Sequence, residues 1–510
     1  MNTAEEILHS APLAGLVVDM LELPAGANQS FNVEVTGIKI DSRQIKKGDL
    51  FIACFGRHHD ARDYIAQAID SGAAAVVAES GGVWQGLQFT GNVPVVAIDN
   101  LSSRISEIAG RFFNHPSHHL QVMGITGTNG KTSCSQFIAQ ALTAMRFRCG
   151  VIGTLGYGPY NQLKESSHTT PDAVFTQSVL AQMVQQEINP VVMEVSSVGL
   201  HQHRVKAVRF DTAIYTNLTR DHLDYHNTME SYAENKRRLF AMEGLRSAII
   251  NLDDPYALTM LNAISRDVDV LTYSASNPIA TVYARDIQLS RHGYQAEVVT
   301  PLGSGQIKGQ LIGYFNFSNV LAVLTTLISY LGHYRATNLD QILAQISALK
   351  PVNGRMEIIG SSAEITAIVD YAHTPDGLKC ALTAVRDHFH GNIWLVFGCG
   401  GNRDKGKRPM MGEIAAAFAN RLIIADDNPR NESGEEIIQH IMSGVEDKSR
   451  VTVIRDRAQA IEYAIVNAAP GDIVLVAGKG HETYQDIAGR KMIFSDANQV
   501  RLALQKRIQN

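Results

Sequence analysis

Leu120-Gln121-Val122-Met123-Gly124-Ile125-Thr126, followed at once by Gly127-Thr128-Asn129-Gly130-Lys131-Thr132-Ser133, decides the fold. The first seven residues read as a buried strand, the glycines end it, and SCSQFIAQALTAM (133–145) continues as a helix. Strand, glycine turn and helix start together make a seat for a phosphate chain. Glycines let backbone N–H groups approach the oxygens, and the helix N-terminus is electropositive. Lys131 would bring positive charge to the β- and γ-phosphates, and the Thr132 hydroxyl would hold a magnesium ion. Ile125 stands where the usual G-x-x-x-x-G-K-[ST] pattern begins with glycine. A plain glycine turn is the alternative, but it would not call for Gly-Lys-Thr at the helix start.

Working outward, 510 residues exceed what one hydrophobic core usually organises, so about three domains are expected. In residues 1–101 short apolar strands (DLFIACF, AAAVVAE, VPVVAID) alternate with the helix-period stretch DYIAQAIDSG. Residues 102–350 open with the helical ISEIAGRFFNH, hold the phosphate loop and continue as strand–helix alternation. Residues 351–510 begin at the turn-rich Pro351-Val352-Asn353-Gly354 and repeat the pattern with NIWLVFG, RLIIADD and DIVLVAGKG. The expected fold is α/β in three domains. A smaller N-terminal α/β domain precedes a central P-loop ATPase with a parallel-rich sheet, and a Rossmann-like domain closes the chain.

Composition narrows the function. A net charge of -5 and a pI near 6.4 leave no basic field for nucleic acid or an anionic membrane. The five cysteines lack metal-type spacing and read as reduced packing residues. The start, MNTAEEILHSAPLAG, lacks the order of a signal peptide, and no apolar run approaches the ~20 residues of a spanning helix. A cytoplasmic protein without membrane insertion is expected.

Glu194 closes the apolar run Pro190–Met193, where a carboxylate facing the phosphate loop suits a hard cation such as magnesium. The strand FDTAIYT then leads into Thr216-Asn217-Leu218-Thr219-Arg220-Asp221-His222-Leu223-Asp224-Tyr225-His226, whose density of polar groups suits an active-site loop. Lys236, on a helix containing Tyr232-Ala233-Glu234-Asn235, reads by itself as a surface lysine. In the third block Gly398 and Gly400 begin a dinucleotide fingerprint, but Arg403 occupies its third glycine position. That favours a domain presenting an amino acid over one holding a nicotinamide cofactor.

Together GTNGKTS (127–133), HTTP (168–171), MEVSS (193–197), TNLTRDHLDYH (216–226), YAENK (232–236), NGRME (353–357), DYAHTPD (370–376), GCGGNRDKGKRP (398–409), DNPR (427–430) and GKGHE (478–482) resemble the Mur ligase family. These ATP-dependent enzymes add amino acids to UDP-N-acetylmuramoyl precursors, and the similarity covers nearly the whole chain. The resemblance implies an acyl-phosphate route in peptidoglycan precursor synthesis. It also implies that Lys236 is carbamylated by carbon dioxide, exchanging a cation for an anionic oxygen ligand. Thr132 and Glu194 would hold one of two magnesium ions, and Glu194, His222 and carbamylated Lys236 the second. Asn316, Arg355 and His373 match positions on the ATP side. Ile40, Ser42, Arg57, His58 and His59 match positions holding the UDP end of the precursor, and Thr169, Thr170, Ser196, Gln202 and Arg204 its muramoyl-dipeptide part. His168 stands where some relatives have asparagine, and Val198 where they commonly have histidine, so neither receives a role.

The amino acid is implied by Asp427-Asn428-Pro429-Arg430. Members of the family that resemble this chain and use meso-diaminopimelate carry arginine at the fourth position of that tetrapeptide, unlike those adding lysine. Diaminopimelate is lysine with a carboxylate at the far end, and guanidinium grips carboxylate bidentately. Arg403 becomes a further carboxylate partner, while Gly478 and Glu482 would receive the distal ammonium. The expected partners are thus ATP, the UDP-N-acetylmuramoyl dipeptide and meso-diaminopimelate, acting on a monomer. L-lysine as the added amino acid, or a folylpolyglutamate-type ligase, is the alternative.

Overall fold

The computed structural model describes residues 9–20, 33–56, 59–334, 338–361 and 364–509. Strand Val122–Thr126 lies inside a sheet of ten strands. Its neighbours Val191–Glu194 and Thr212–Tyr215 both run parallel to it. All three strands are buried on both faces, which is why they read as continuous apolar runs rather than alternations. One face packs against helices Lys131–Ala144 and Tyr314–Tyr334, the other against elements carrying Leu180, Leu200 and Phe240.

Two expectations for the middle of the chain need correcting. Beyond Asp269–Ser274 the alternation stops, and Val282–Ser290, Gly293–Thr300 and Gly303–Gly309 form an antiparallel meander that extends the sheet. Short turns at Arg291-His292 and Pro301-Leu302 permit this, because antiparallel neighbours need no crossover helix. Secondly, Tyr314–Gly332 is long and apolar enough to span a membrane, contrary to the reading of the sequence, with mean hydropathy 1.3. Its window is 83% buried inside the protein, where Phe317, Leu321 and Leu324 pack on the central sheet, so it is a core helix.

The first sheet runs through Gly37–Lys39, Asp49–Ala53, Ala75–Glu79 and Val93–Ile98, all parallel, with Leu87–Thr90 antiparallel at the edge. The last has six strands: Glu357–Ser361 is antiparallel to Thr366–Asp370, and Ile473–Ala477, Ile393–Phe397, Arg421–Ile424 and Val451–Val453 follow in parallel. Helices on both its faces bury separate apolar layers, one around Leu382 and Ile441, the other around Ile461 and Val500. The protein is α/β throughout, with parallel-rich sheets.

Candidate active site

The phosphate loop takes the predicted form. Thr126 ends its strand, Gly130 adopts a left-handed φ of +88°, and the helix begins at Lys131. A Cβ on Gly130 would meet Asn319 Oδ1 at 2.4 Å, and one on Gly127 would meet Thr216 Oγ1 at 1.8 Å, so neighbouring elements clamp the loop. Asn217 reinforces this: its carbonyl accepts from the Thr128 amide (2.8 Å) and its Oδ1 from the Asn129 amide (2.9 Å). Asn316 sits beneath, buried, its amide donating to Ile312 O and accepting from Asn319.

Two lysines converge on one carbonyl. Lys131 Nζ donates to Gly127 O at 2.7 Å, and Lys236 Nζ donates to the same oxygen at 2.8 Å. Lys236 is 1% exposed and lies over the Tyr232 ring at 4.4 Å, so it is no surface lysine. Burial, reinforced by the Lys131 charge, holds its pKa well below the ordinary lysine value. Burial beside a like charge thus disfavours the ammonium form, and the free amine is the form that adds to carbon dioxide.

Glu194 is fully buried and engaged at both oxygens. Oε2 accepts from Thr132 Oγ1 (2.9 Å) and Thr154 Oγ1 (3.1 Å), and Oε1 from the Thr154 amide (2.9 Å). Glycine at 153 is required for this approach, since a Cβ there would lie 2.2 Å from Oε1. Arg355 reaches Thr132 Oγ1 at 3.4 Å and stacks on Tyr371. His222 is half-exposed and its Nε2 lies 3.5 Å from Asp221 Oδ2. Among the described residues no three His, Cys, Asp or Glu side chains are gathered into a ready metal cluster. Glu194 and Thr132 are already joined by a hydrogen bond, while Lys236 bonds to Gly127 O and His222 lies against Asp221.

A cavity of about 560 Å³ opens beside this centre, lined by Asp221, His222, His373, Arg403, Asp427, Asn428, Arg430, Gly478 and Glu482. The tetrapeptide 427–430 lies directly against the glycine turn. A Cβ on Gly401 would meet Pro429 O at 1.9 Å, and one on Gly400 would meet Arg430 Nη1 at 2.8 Å. Arg430 itself has φ +51°, donates from Nη1 to Gly401 O (2.9 Å) and from its amide to Asp486 O (3.0 Å). Glu482 Oε2 accepts from Lys479 Nζ (2.7 Å) and Asn428 Nδ2 (2.8 Å). Asp427 Oδ2, buried, has no hydrogen-bond partner among the described residues. Arg403 is exposed, and its Nη1 donates to Asn402 O at 3.1 Å.

A second cavity of about 1310 Å³ adjoins it, sharing His222, Arg403, Arg430 and Glu482, and reaching Thr169, Thr170, Ser196 and Arg204. Arg204 is braced by Gln202 Oε1 (2.7 Å) and Thr170 O (2.6 Å), while Thr170 Oγ1 accepts from the Ser196 amide (2.9 Å). His168 and Val198 line the same cavity. Ile40, Ser42 and His59 belong to the first sheet's surroundings and reach neither cavity; Ser42 is buried against Gln67, and Ile40 and His59 are exposed. Arg57 and His58 lie outside the described residues. Reading the sequence did not identify Thr154, Lys479 or the buried pair Arg457–Asp496. Only Lys479, inside GKGHE, carried any local signal.

Three family models match the chain: "Mur ligase family, catalytic domain" over residues 34–113, "Mur ligase middle domain" over 125–327, and "Mur ligase, glutamate ligase domain" over 354–480. A UDP-N-acetylmuramoyl-L-alanyl-D-glutamate–2,6-diaminopimelate ligase from Coxiella burnetii is 46% identical over 93% of this chain and 96% of its own length. A solved structure titled as the same ligase superposes with a TM-score of 0.70 at 34% identity, covering 98% of this chain and 100% of that one. The MurF ligase from Thermotoga maritima in complex with ADP shares the fold at 16% identity, with a TM-score of 0.61 over 92% of this chain and 97% of its own. With three models of the family matched in succession along the sequence and a relative 46% identical over 93% of it, the chain belongs to the Mur ligase family.

Proposed function

We propose that the chain joins meso-2,6-diaminopimelate to UDP-N-acetylmuramoyl-L-alanyl-D-glutamate, using ATP and passing through an acyl phosphate. The observation that carries this reading is the 560 Å³ cavity, where Arg403 and Arg430 share a wall with Asp427, Gly478 and Glu482. A ligand with a carboxylate and an ammonium at its distal end matches that charge pattern; lysine matches only its acidic half. The name of the Coxiella burnetii relative supports the same substrate pair.

In the first step an oxygen of the D-glutamate carboxylate attacks the γ-phosphorus of ATP and ADP leaves. The loop amides of residues 127–133 cradle the phosphates, and Lys131, released from its loop carbonyls, follows the charge onto the transferring group. In the second step an amine of diaminopimelate attacks the acyl carbon, phosphate leaves, and the nitrogen loses a proton. Asn316, Arg355 and His373 serve the ATP side. Thr169, Thr170, Ser196, Gln202 and Arg204 take the muramoyl dipeptide, and Ile40, Ser42 and Arg57–His59 its UDP end. Residues 1–101, 102–350 and 351–510 are thus the precursor, ATP and amino-acid blocks.

Thr132 with Glu194 would hold one magnesium ion, and Glu194, His222 and carbamylated Lys236 a second. Bound there, magnesium offsets phosphate charge. Lys236 fits its modification because burial beside Lys131 disfavours its ammonium form, and a carbamate would set a negative charge beside the Lys131 ammonium. The protein would act as a cytoplasmic monomer on precursors of peptidoglycan. Mass-resolved products from ATP, the UDP-muramoyl dipeptide and a panel of amino acids test the reading. A diaminopimelate tripeptide product is expected; preferential use of lysine or glutamate would overturn it.

A further inference from the structure

Behind the amino-acid cavity lies an ion pair that the reaction does not touch. Arg457 and Asp496 are both buried, with side-chain exposures of 0% and 0%. The guanidinium meets the carboxylate bidentately, Nε to Oδ1 at 2.7 Å and Nη2 to Oδ2 at 2.8 Å. Arg457 opens the helix Arg457–Asn467, and Asp496 opens the C-terminal helix Asp496–Gln509. Nη2 also donates to Ala477 O at 2.9 Å, one residue before Gly478. Gly478 has φ +121°, and the point where its Cβ would stand is 2.5 Å from Asp427 Oδ2 and 3.9 Å from Arg457 Nη2. Among the described residues, Asp427 Oδ2 and Arg457 Nη1 are both buried without a hydrogen-bond partner. On the other flank of Asp496, Ser495, Ala497 and Arg501 line the larger cavity.

We infer that Arg457 and Asp496 are positioning residues of the amino-acid site: the pair holds Ala477–Gly478 in place and keeps the arginine from capturing Asp427. A buried guanidinium must be compensated. With Asp496 compensating it, Asp427 keeps an oxygen available to an incoming ammonium. Without Asp496, the nearest uncompensated acid in that wall is Asp427, and pairing with Arg457 would withdraw it from the ligand. The inference rests on the amino-acid reading of the cavity given above.

Two variants test it, Asp496→Asn and the apolar double replacement Arg457→Met with Asp496→Leu, because apolar replacement of a buried pair is often tolerated by the fold. Steady-state kinetics are measured with each substrate varied, beside thermal unfolding and trapping of the acyl phosphate. For Asp496→Asn we expect the KM for diaminopimelate to rise at least tenfold. The KM values for ATP and the UDP-precursor, and acyl-phosphate formation, should stay within twofold. The double variant should fold and show a raised diaminopimelate KM as well. A folded variant with an unchanged diaminopimelate KM, or equal losses for all three substrates, would overturn the assignment. So would failure of both variants to fold, which marks a purely structural pair. If the wild-type protein itself prefers another amino acid, the functional reading fails instead, and the two failures are told apart.

Discussion

Lys236 shows how far a side chain's meaning depends on its surroundings. By sequence it is a charged residue on a polar helix, yet the fold buries it against Gly127 O and the Tyr232 ring. Lys236→Ala should lose most ligase activity, and short-chain carboxylates should restore part of it by standing in for the proposed carbamate; full activity at limiting magnesium would refute the role. On the proposed reading Arg430→Ala removes the partner of the ligand's distal carboxylate, a loss of about 2–5 kcal/mol. At roughly 1.4 kcal/mol per decade, use of diaminopimelate falls about thirtyfold or more while the poor use of lysine barely changes. The ratio of kcat/KM for the two amino acids reads this directly. His226 is buried, bonded to Ser197 Oγ at 2.9 Å, and its pKa is pushed down to about 4 by burial and by the charges of His222 and Lys236. The unfolded chain would protonate it near pH 6.5, so between pH 6.5 and 4 the unfolded state binds more protons. His226 therefore gives no slope above that window and lowers stability as pH falls through it. Denaturant unfolding of His226→Gln across pH 4–7 should show a flatter pH dependence than wild type.

At the scale of elements, glycine turns carry the site, and they do so by permitting contact. Gly130 must adopt φ +88° with Asn319 Oδ1 2.4 Å from its missing Cβ. Gly130→Ala adds a left-handed alanine, about 1–2 kcal/mol, and pushes on Asn319. A rise of roughly tenfold in the KM for ATP, with the KM for diaminopimelate unchanged, is the expected kinetic result. The strands around this turn were legible because burial on both faces makes apolar runs such as Pro190–Met193 unmistakable. The meander at 282–309 was not legible: its exposed face mixes Arg285, Gln288 and Lys308 with apolar positions, and only pairing registers reveal three adjacent strands.

Across the whole molecule, ATP and the precursor's UDP end would be held by different sheets. The nucleotide loop belongs to the ten-stranded sheet, whereas Ile40 and Ser42 lie beside the first. Lys131→Ala should abolish acyl-phosphate formation and leave precursor binding largely intact, as measured by calorimetry; parallel loss of both would argue against this division. Contacts between blocks bear on the same point. Arg355 reaches Thr132, and Asn129 Nδ2 reaches Asp376 Oδ2 at 3.3 Å, so the last block already touches the phosphate loop of the central one.

The sequence by itself determined the phosphate loop, the α/β class and the family, because each depends on local pattern: apolar runs, glycines at turns, and motifs in order. It also singled out Glu194 and the 427–430 tetrapeptide, whose chemistry is written in contiguous residues. Only the tertiary structure decided that Lys131 and Lys236 share a carbonyl, that Thr154 joins Thr132 on Glu194, and that Arg457 and Asp496, 39 residues apart, meet in a buried pair beside Gly478. The physical reason is that burial and charge compensation are properties of neighbours in space, and no spacing along a chain encodes which distant carboxylate will neutralise a buried guanidinium.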